Sequence, residues 1–493
     1  MRLGVTAFQR RGRGRWQDNQ TRPVGSLRGV VMWWMLWLAC SQEASLESPS
    51  GEALGTTQAP EPALAVPRAE HRGPASGAGG ASGRPVGPGG PAAGQDGVRD
   101  MGSGAALQDP MGFPTFHAWP APNGPRITEP GSWSSAQRLT AEPGGGYRPQ
   151  ITAGADGTLH VVYYERQEAG DLIQHRVSTD GETWSEPVRL GFDRLRNWGP
   201  DIVAREDGSV VVCFDHAQED FSSRGYLTTW QDGTWSAPVP LTEEDPEGEI
   251  GSGHVAATVG DDLVYVWIGK KMSPQHHFRS YWRWRRDGAW TEPVAFTDGT
   301  ADAWHSNVER RPDGSVLVGW DVGVGGGETT LFVADGRDGR FGTPENLSAG
   351  KGRPGERAHF AFGADGTDHV AWFHKRGGAP RHVYVRSGRP GAWSDTVDEP
   401  SRGHGGFHFD PDIAIDASGR RVVVWGWDQG REAELVYSVD TGDGWSKPRK
   451  VADIRWGKPG LPSLAVDERG VFHVVWNQGV RGENHVYYAR LSP

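Results

Sequence analysis

The chain has 493 residues, enough for two or three ordinary domains, yet 72 glycines and 35 prolines set against 36% hydrophobic residues mean that part of it builds no core. A formal charge of −11 excludes the basic face with which a nucleic-acid binder displaces counterions from phosphates, so no nucleic acid is expected as a partner. With only Cys40 and Cys213 present, a disulfide framework is excluded as well, and Cys213, inside the apolar run VVVCFDH, reads as a buried strand thiol.

The first element is an apolar run at 30–40, VVMWWMLWLAC, preceded by Arg10, Arg11, Arg13 and Arg15 and followed by small and polar residues. It is too short to cross a bilayer as a helix, which takes about 20 residues, and it fits the h-region of an export signal. Its ending, Trp37-Leu38-Ala39-Cys40, resembles the lipobox of bacterial lipoproteins, with Trp37 at the place that motif usually gives to leucine. The resemblance implies that residues 1–40 are an export signal, that Cys40 is lipidated, and that the protein is held on the bacterial cell envelope or surface. Residues 41–127 then run through Gly, Ala, Pro, Ser and Glu, as in GPASGAGGASGRPVGPGGPAAG. Such a composition buries too little apolar area to offset chain entropy and predicts a disordered tether.

From residue 128 onward the sequence repeats. Seven strand-like segments lead into a turn, RPQITAGADG, GPDIVAREDG, GHVAATVGDD, HSNVERRPDG, RAHFAFGADG, DPDIAIDASG and LPSLAVDERG. Their second residues, Pro149, Pro200, His254, Ser306, Ala358, Pro411 and Pro462, are spaced by 51, 54, 52, 52, 53 and 51 positions. Each is followed by an apolar run ending near an aromatic (Tyr163, Phe214, Trp267, Trp320, Trp372, Trp425, Trp476), then a third β-rich run, then a short phrase such as ETWSEP, GTWSAP or GWSKP. Strands of this length with Gly/Asp turns and no helical period are four-stranded antiparallel units. Seven of them predict an all-β, seven-bladed β-propeller. The phrase aromatics Trp184, Trp235, Trp290, Phe341, Trp393 and Trp445 serve six units; the seventh lacks one, and GSWSSAQRLT at the front supplies it, so an N-terminal strand is expected to close the ring. Eleven of the 23 tryptophans fall at these repeat positions and are read as packing between blades rather than as sugar platforms.

Ser178-Thr179-Asp180-Gly181-Glu182-Thr183-Trp184 is similar to the Asp-box of bacterial neuraminidase repeats, one residue shorter than usual, with remnants at Asp232 to Trp235 and Asp440 to Trp445. The resemblance covers residues 128–493 and implies the sialidase-like propeller superfamily, whose members include lectins, glycosidases and lyases. It implies architecture rather than one activity.

In such a ring the innermost strands begin on the face where the second strands end, around the mouth of the central channel. The residues flanking the repeat's proline position are Arg148 and Gln150, Gly199 and Asp201, Gly253 and Val255, His305 and Asn307, Arg357 and His359, Asp410 and Asp412, Leu461 and Ser463. Alternation along a strand puts both members of each pair on one side. The second-strand ends add Glu165, Asp215, His216, Asp321, His374, Lys375 and Asp428, with Asn197, Trp198, His254, His404 and His408 nearby. Acids, bases and guanidinium groups in one concave place suit a polar substrate.

Three functions fit that set. A glycan-active enzyme, glycoside hydrolase or polysaccharide lyase, would use His305, His359, Asp410 and Asp412 as acid/base groups and Arg148, Gln150, Asp201, Asn307, Arg357, Glu165 and His374 to bind a substrate, an anionic one included. Sialidases carry three arginines with a Tyr/Glu pair and are usually six-bladed, whereas two inward arginines stand here; seven-bladed polysaccharide lyases, which use His, Tyr and Arg, resemble it more. A lectin-like module and a protein-binding scaffold are the alternatives. His305, His359, Asp410 and Asp412 could converge on a metal, but no ligand spacing supports one, so neither a metal nor another cofactor is expected. The expected partners are a glycan and, through Cys40, a membrane, with the chain itself a monomer.

Overall fold

The computed structural model describes residues 131–140 and 145–492, apart from 168–169, 220–222, 242–252, 258–261, 270–276, 326–327, 349–354, 375–380, 431, 455–456 and 481–482. Cys40, the tether and Lys375 lie outside the described residues.

Seven antiparallel sheets, one per repeat, form a seven-bladed β-propeller, and among the described residues there is no helix. Blade 1 runs through Gly146–Ala153, Leu159–Gln167, Gly170–Ser178 and Val188–Leu190 in that order from the centre outward. The other innermost strands are Asn197–Ala204, Gly253–Ala257, Ala303–Arg310, Glu356–Phe362, Phe407–Ile415 and Pro459–Val466. Second strands such as Val210–Ala217, Leu263–Gly269 and Asp368–Phe373 are buried along nearly their whole length, because each blade is sandwiched between two others. That two-sided burial is why they read as unbroken apolar runs rather than as alternation. The core is accordingly divided into seven apolar clusters, each spanning two neighbouring blades.

The recurring phrase leads into the outermost strand, and in blades 2, 3 and 4 its own aromatic already pairs with the third strand, Trp235 opposite Trp230, Trp290 opposite Arg285 and Phe341 opposite Gly336. In blade 1 that strand starts at Val188, after Pro187, whose missing N–H suits an edge. The phrase tryptophan packs against the third strand of the preceding blade: Trp184 lies edge-on to Tyr488 with ring centroids 5.0 Å apart, and Trp133 to Tyr437 at 5.6 Å. The phrase serine folds back on its own blade, Ser185, Ser236 and Ser446 Oγ accepting from the backbone N–H of Val177, Thr229 and Val439 at 3.0, 3.0 and 3.1 Å. In the Asp-box-like turn, Asp180 accepts from the N–H groups of Glu182 and Thr183, both at 2.7 Å, and these bonds to the ionised form pull its pKa down to about 2. Gly181 sits there at φ 69°, where a Cβ would meet the Tyr488 hydroxyl at 2.4 Å.

Blade 7 takes its outer strand from the N-terminal side. Gln137–Arg138 pairs antiparallel with Glu483–Leu491, Gln137 opposite Tyr488, and Trp133 bridges to Leu491. Leu139 is buried beside Tyr163, Val486 and Tyr488 in the cluster shared by blades 7 and 1.

Candidate functional site

Simple alternation does not hold at the start of the innermost strands. In six blades the register shifts there, between Tyr147 and Gln150, Trp198 and Asp201, Trp304 and Asn307, Glu356 and His359, Phe409 and Asp412, and Gly460 and Ser463. The first bulged residue is left-handed in each: Arg148 (φ 46°), Gly199 (58°), His305 (47°), Arg357 (55°), Asp410 (49°) and Leu461 (48°). For a residue other than glycine this backbone costs roughly 1–2 kcal/mol. Leu461 shows that the bulge belongs to the architecture, and Gly199 shows the residue such a backbone favours. Arginine, histidine, arginine and aspartate at the remaining four therefore stand against a conformational cost. The bulge also sorts the flanking pairs into two sets.

The first set gathers at the mouth. The Arg357 guanidinium pairs with Asp410 of the next blade at 3.1 Å. His305 Nδ1 lies 3.0 Å from Asp321 Oδ1, and Asp321, fully buried, also accepts the Arg357 backbone N–H at 3.4 Å. Because a carboxylate only accepts, the His305 proton is on Nδ1 and Nε2 is left as an acceptor. Burial and then Arg357 push the His305 pKa well down, so the imidazole is neutral at ordinary pH; Glu356 and Asp410 oppose the shift. Burial likewise pulls Arg148 below the ordinary guanidinium value, and Tyr164, Arg357, Asp215 and Asp410 all act on it. Arg148, His305, Arg357 and Asp410 are thus brought into one electrostatic neighbourhood.

Asp215 belongs to it too. Asp321 and Asn477, at the same place in their second strands, each accept the backbone N–H of the next blade's bulged residue, Arg357 and Arg148. The described part of blade 3 pairs Gly253 with Trp267 and His254 with Val266 with no register shift, and both Asp215 oxygens are buried with no hydrogen-bond partner among the described residues. Burial raises its pKa well above the carboxylate range, against the pull of Arg148. An acid that holds its proton more tightly folded than unfolded makes the protein lose stability as pH rises from about 4 towards the folded-state pKa. Asp215→Asn should remove that loss: between pH 4.5 and 7, wild type should lose about 1.4 kcal/mol more than the variant for every pH unit below the folded-state pKa. Denaturant melts of both proteins at the two pH values measure it, and parallel pH dependence would show that the carboxyl is ionised.

The second set stitches blades together. Asp201 and Asp412 accept the N–H groups of Val255 and Leu464 in the following blades at 2.9 and 2.7 Å, Ser463 Oγ that of Ile151 at 3.2 Å, and Asn307 donates to the Ala358 carbonyl at 3.1 Å. His359 pairs with Asp412 at 3.2 Å and His254 with Asp201 at 3.4 Å. Gln150 sits half-buried in this set, beside the blade 1 bulge. Glu165 accepts from Gln174 at 2.8 Å and stands opposite Gly146, and His374, just past the second strand Asp368–Phe373, has its ring 6.3 Å from that of Tyr384. His305, His359, Asp410 and Asp412 do not share a centre, and among the described residues no three His, Cys, Asp or Glu side chains are grouped to hold a metal ion.

Sequence reasoning does not single out Tyr164 and Asn477, and it gives Asp215 and Asp321 a place but no role. The signal that finds all four is their position directly after the aromatic closing the second strand: Tyr163, Phe214, Trp320 and Trp476.

No protein-family model and no curated protein sequence matches this chain. Solved structures do match. An ulvan lyase, a polysaccharide lyase bound to -[GlcA(1-4)Rha3S]-, is 13% identical with a TM-score of 0.49, over 73% of this chain and 93% of that one. An α-L-arabinanase of Penicillium chrysogenum complexed with arabinobiose is 12% identical with a TM-score of 0.44, over 74% and 98%. A Hadza microbial sialidase is 13% identical with a TM-score of 0.40, over 70% and 65%. The likeness is one of fold. What happens at the mouth has to come from its own residues.

Proposed function

We propose that the protein is a surface-tethered propeller that acts on an acidic polysaccharide, cleaving it by elimination next to a uronate. The observation that carries this reading is His305: a strained, neutral imidazole with Nδ1 held by buried Asp321, and Arg148 and Arg357 in the same neighbourhood. The guanidinium groups receive the uronate carboxylate and favour the charge that develops on it as the adjacent carbon loses its proton. His305 Nε2 takes that proton, the carbon–oxygen bond to the neighbouring sugar breaks as the double bond forms, and the imidazolium returns the proton to the departing oxygen. The pair Arg357 with Asp410 sets the guanidinium's direction.

Incubation with a panel of uronate-containing, sialylated and neutral glycans tests this, reading ultraviolet absorbance of unsaturated ends and new reducing ends. Unsaturated products are expected. Reducing ends without absorbance would replace elimination by hydrolysis. Retention on a glycan without turnover would favour a lectin-like module, the second reading, for which the ion pair already engaging Arg357 speaks. Neither turnover nor retention would leave a protein-binding scaffold.

The same proposal places the protein, as a monomer, on the bacterial envelope through a lipid on Cys40, supported by the apolar run that ends in Leu38-Ala39-Cys40. Cys40→Ser should move it from the membrane fraction to the soluble one, and a variant that stays with membranes would rule out the anchor.

A further inference from the structure

Beside the mouth, at the junction of blades 1 and 2, lies a cavity of about 720 Å³ lined by residues 192–195 and 216–219 together with Arg224. Its size falls within the roughly 300–1,000 Å³ of ligand sites. The chain builds it from fixed parts. Asn197, fully buried, donates to the carbonyls of Asp171 and Phe192, both at 2.9 Å, accepts the Phe192 N–H at 3.2 Å, and has its Oδ1 3.1 Å from His216 Nδ1. Leu195 on the rim is left-handed at φ 63° and 39% exposed, and Gly170 packs so closely on its carbonyl that a Cβ there would come within 2.1 Å.

We propose that this cavity is a second subsite of the glycan site, taking an uncharged, hydroxyl-rich sugar unit of the same chain whose charged unit sits at the mouth. The inference rests on the reading given under Proposed function and extends it to how much of the polymer is held. Asp193 and Glu219 stand among Arg194 and Arg224 in the lining, Asp193 also pairing with Arg189 at 3.3 Å, so neither sign of charge dominates, while guanidinium forks, carboxylates and the Gln218 amide offer the mixture of donors and acceptors that neighbouring hydroxyls need. Burial lowers the pKa of His216, and with Nδ1 donating to Asn197 the neutral ring keeps Nε2 as an acceptor. The floor is aromatic: Phe192 lies 4.3 Å from the His216 ring and 4.7 Å from Tyr226.

The cavity is tied to the mouth through the strand that bears Asp215. His216 directly follows Asp215 and pairs with Asn197, while Asp215 pairs with Trp198. Half-buried Tyr147, Trp198 and Phe192 share one apolar cluster, giving an aromatic path from beside Arg148 to the cavity on which sugar faces can lie. A polymer crossing this path gains contacts with length that a single charged unit does not make.

Size-fractionated hyaluronan and unsulfated chondroitin oligomers, from disaccharide to decasaccharide, in both of which uronates alternate with an uncharged sugar, test the subsite by calorimetric titration. Wild type should bind the longer oligomers about tenfold or more tightly than the disaccharide. In the double variant Arg194→Ala, Gln218→Ala, both at positions outside the mouth, that gain should vanish while the disaccharide affinity stays as in wild type. A double variant that keeps the gain overturns the subsite and leaves the mouth untouched, and Arg148→Ala should instead weaken every length equally. If wild type binds no oligomer of either series and no acidic member of the glycan panel, the reading of the mouth fails and the subsite with it.

Discussion

Replacing His305 with alanine should leave the propeller folded and lower kcat on its acidic glycan by about 10²–10⁴, the usual contribution of one positioned acid/base group. The fold should survive because Asp321, the partner left behind, still accepts the Arg357 backbone N–H, and the same left-handed bulge holds side chains as different as Arg357 and Leu461. Since the imidazole is neutral and its pKa is lowered, the wild-type rate should hold down to acidic pH and fall only where the ring takes up a proton. Steady-state kinetics with circular-dichroism melts of both proteins decide the matter. A variant with unchanged kcat would remove His305 from the chemistry, and one that fails to fold is distinguished by His305→Gln, which keeps a polar group beside Asp321.

The second large effect concerns the seam. Deleting residues 128–141 removes the outer strand of blade 7, the bridge from Trp133 to Leu491 and the buried Leu139, exposing the edge of Glu483–Leu491. The melting temperature should drop sharply, with aggregation through the bared edge. Leu139→Ala alone should cost about 2–5 kcal/mol, as buried leucines do. An unchanged melt of the deletion protein would mean that the ring holds without this strand.

The repeat was legible because its cause is repetitive: every blade is sandwiched, so the same apolar run and the same Trp-Ser-x-Pro phrase are needed each time. The mouth was legible only in part. Sequence spacing finds Arg148, His305, Arg357 and Asp410, since the position before the repeat's proline is fixed, but it cannot show that a bulge follows. That bulge separates Arg357 from His359 and Asp410 from Asp412, turning the second of each pair towards the next blade. Nor does spacing reveal that Asp215 has no bonding partner among the described residues, because that depends on the regular register of the described part of blade 3, a neighbour about 40 residues further along the chain. A residue's chemistry in a ring is set by the blade beside it.

The seam has a kinetic consequence. The Thr140 hydroxyl accepts the Val486 N–H across 346 residues of chain, whereas the pairings inside each of the other blades are local. Blades 1 to 6 can therefore zip up in order as the polypeptide emerges, but the last sheet has to wait for its final strand to find one that emerged first. Contacts of such separation are slow, because the closure entropy is lost before any bond offsets it. An open, six-bladed crescent is thus the expected late folding intermediate, and any truncation at the C-terminal end should trap the chain in it.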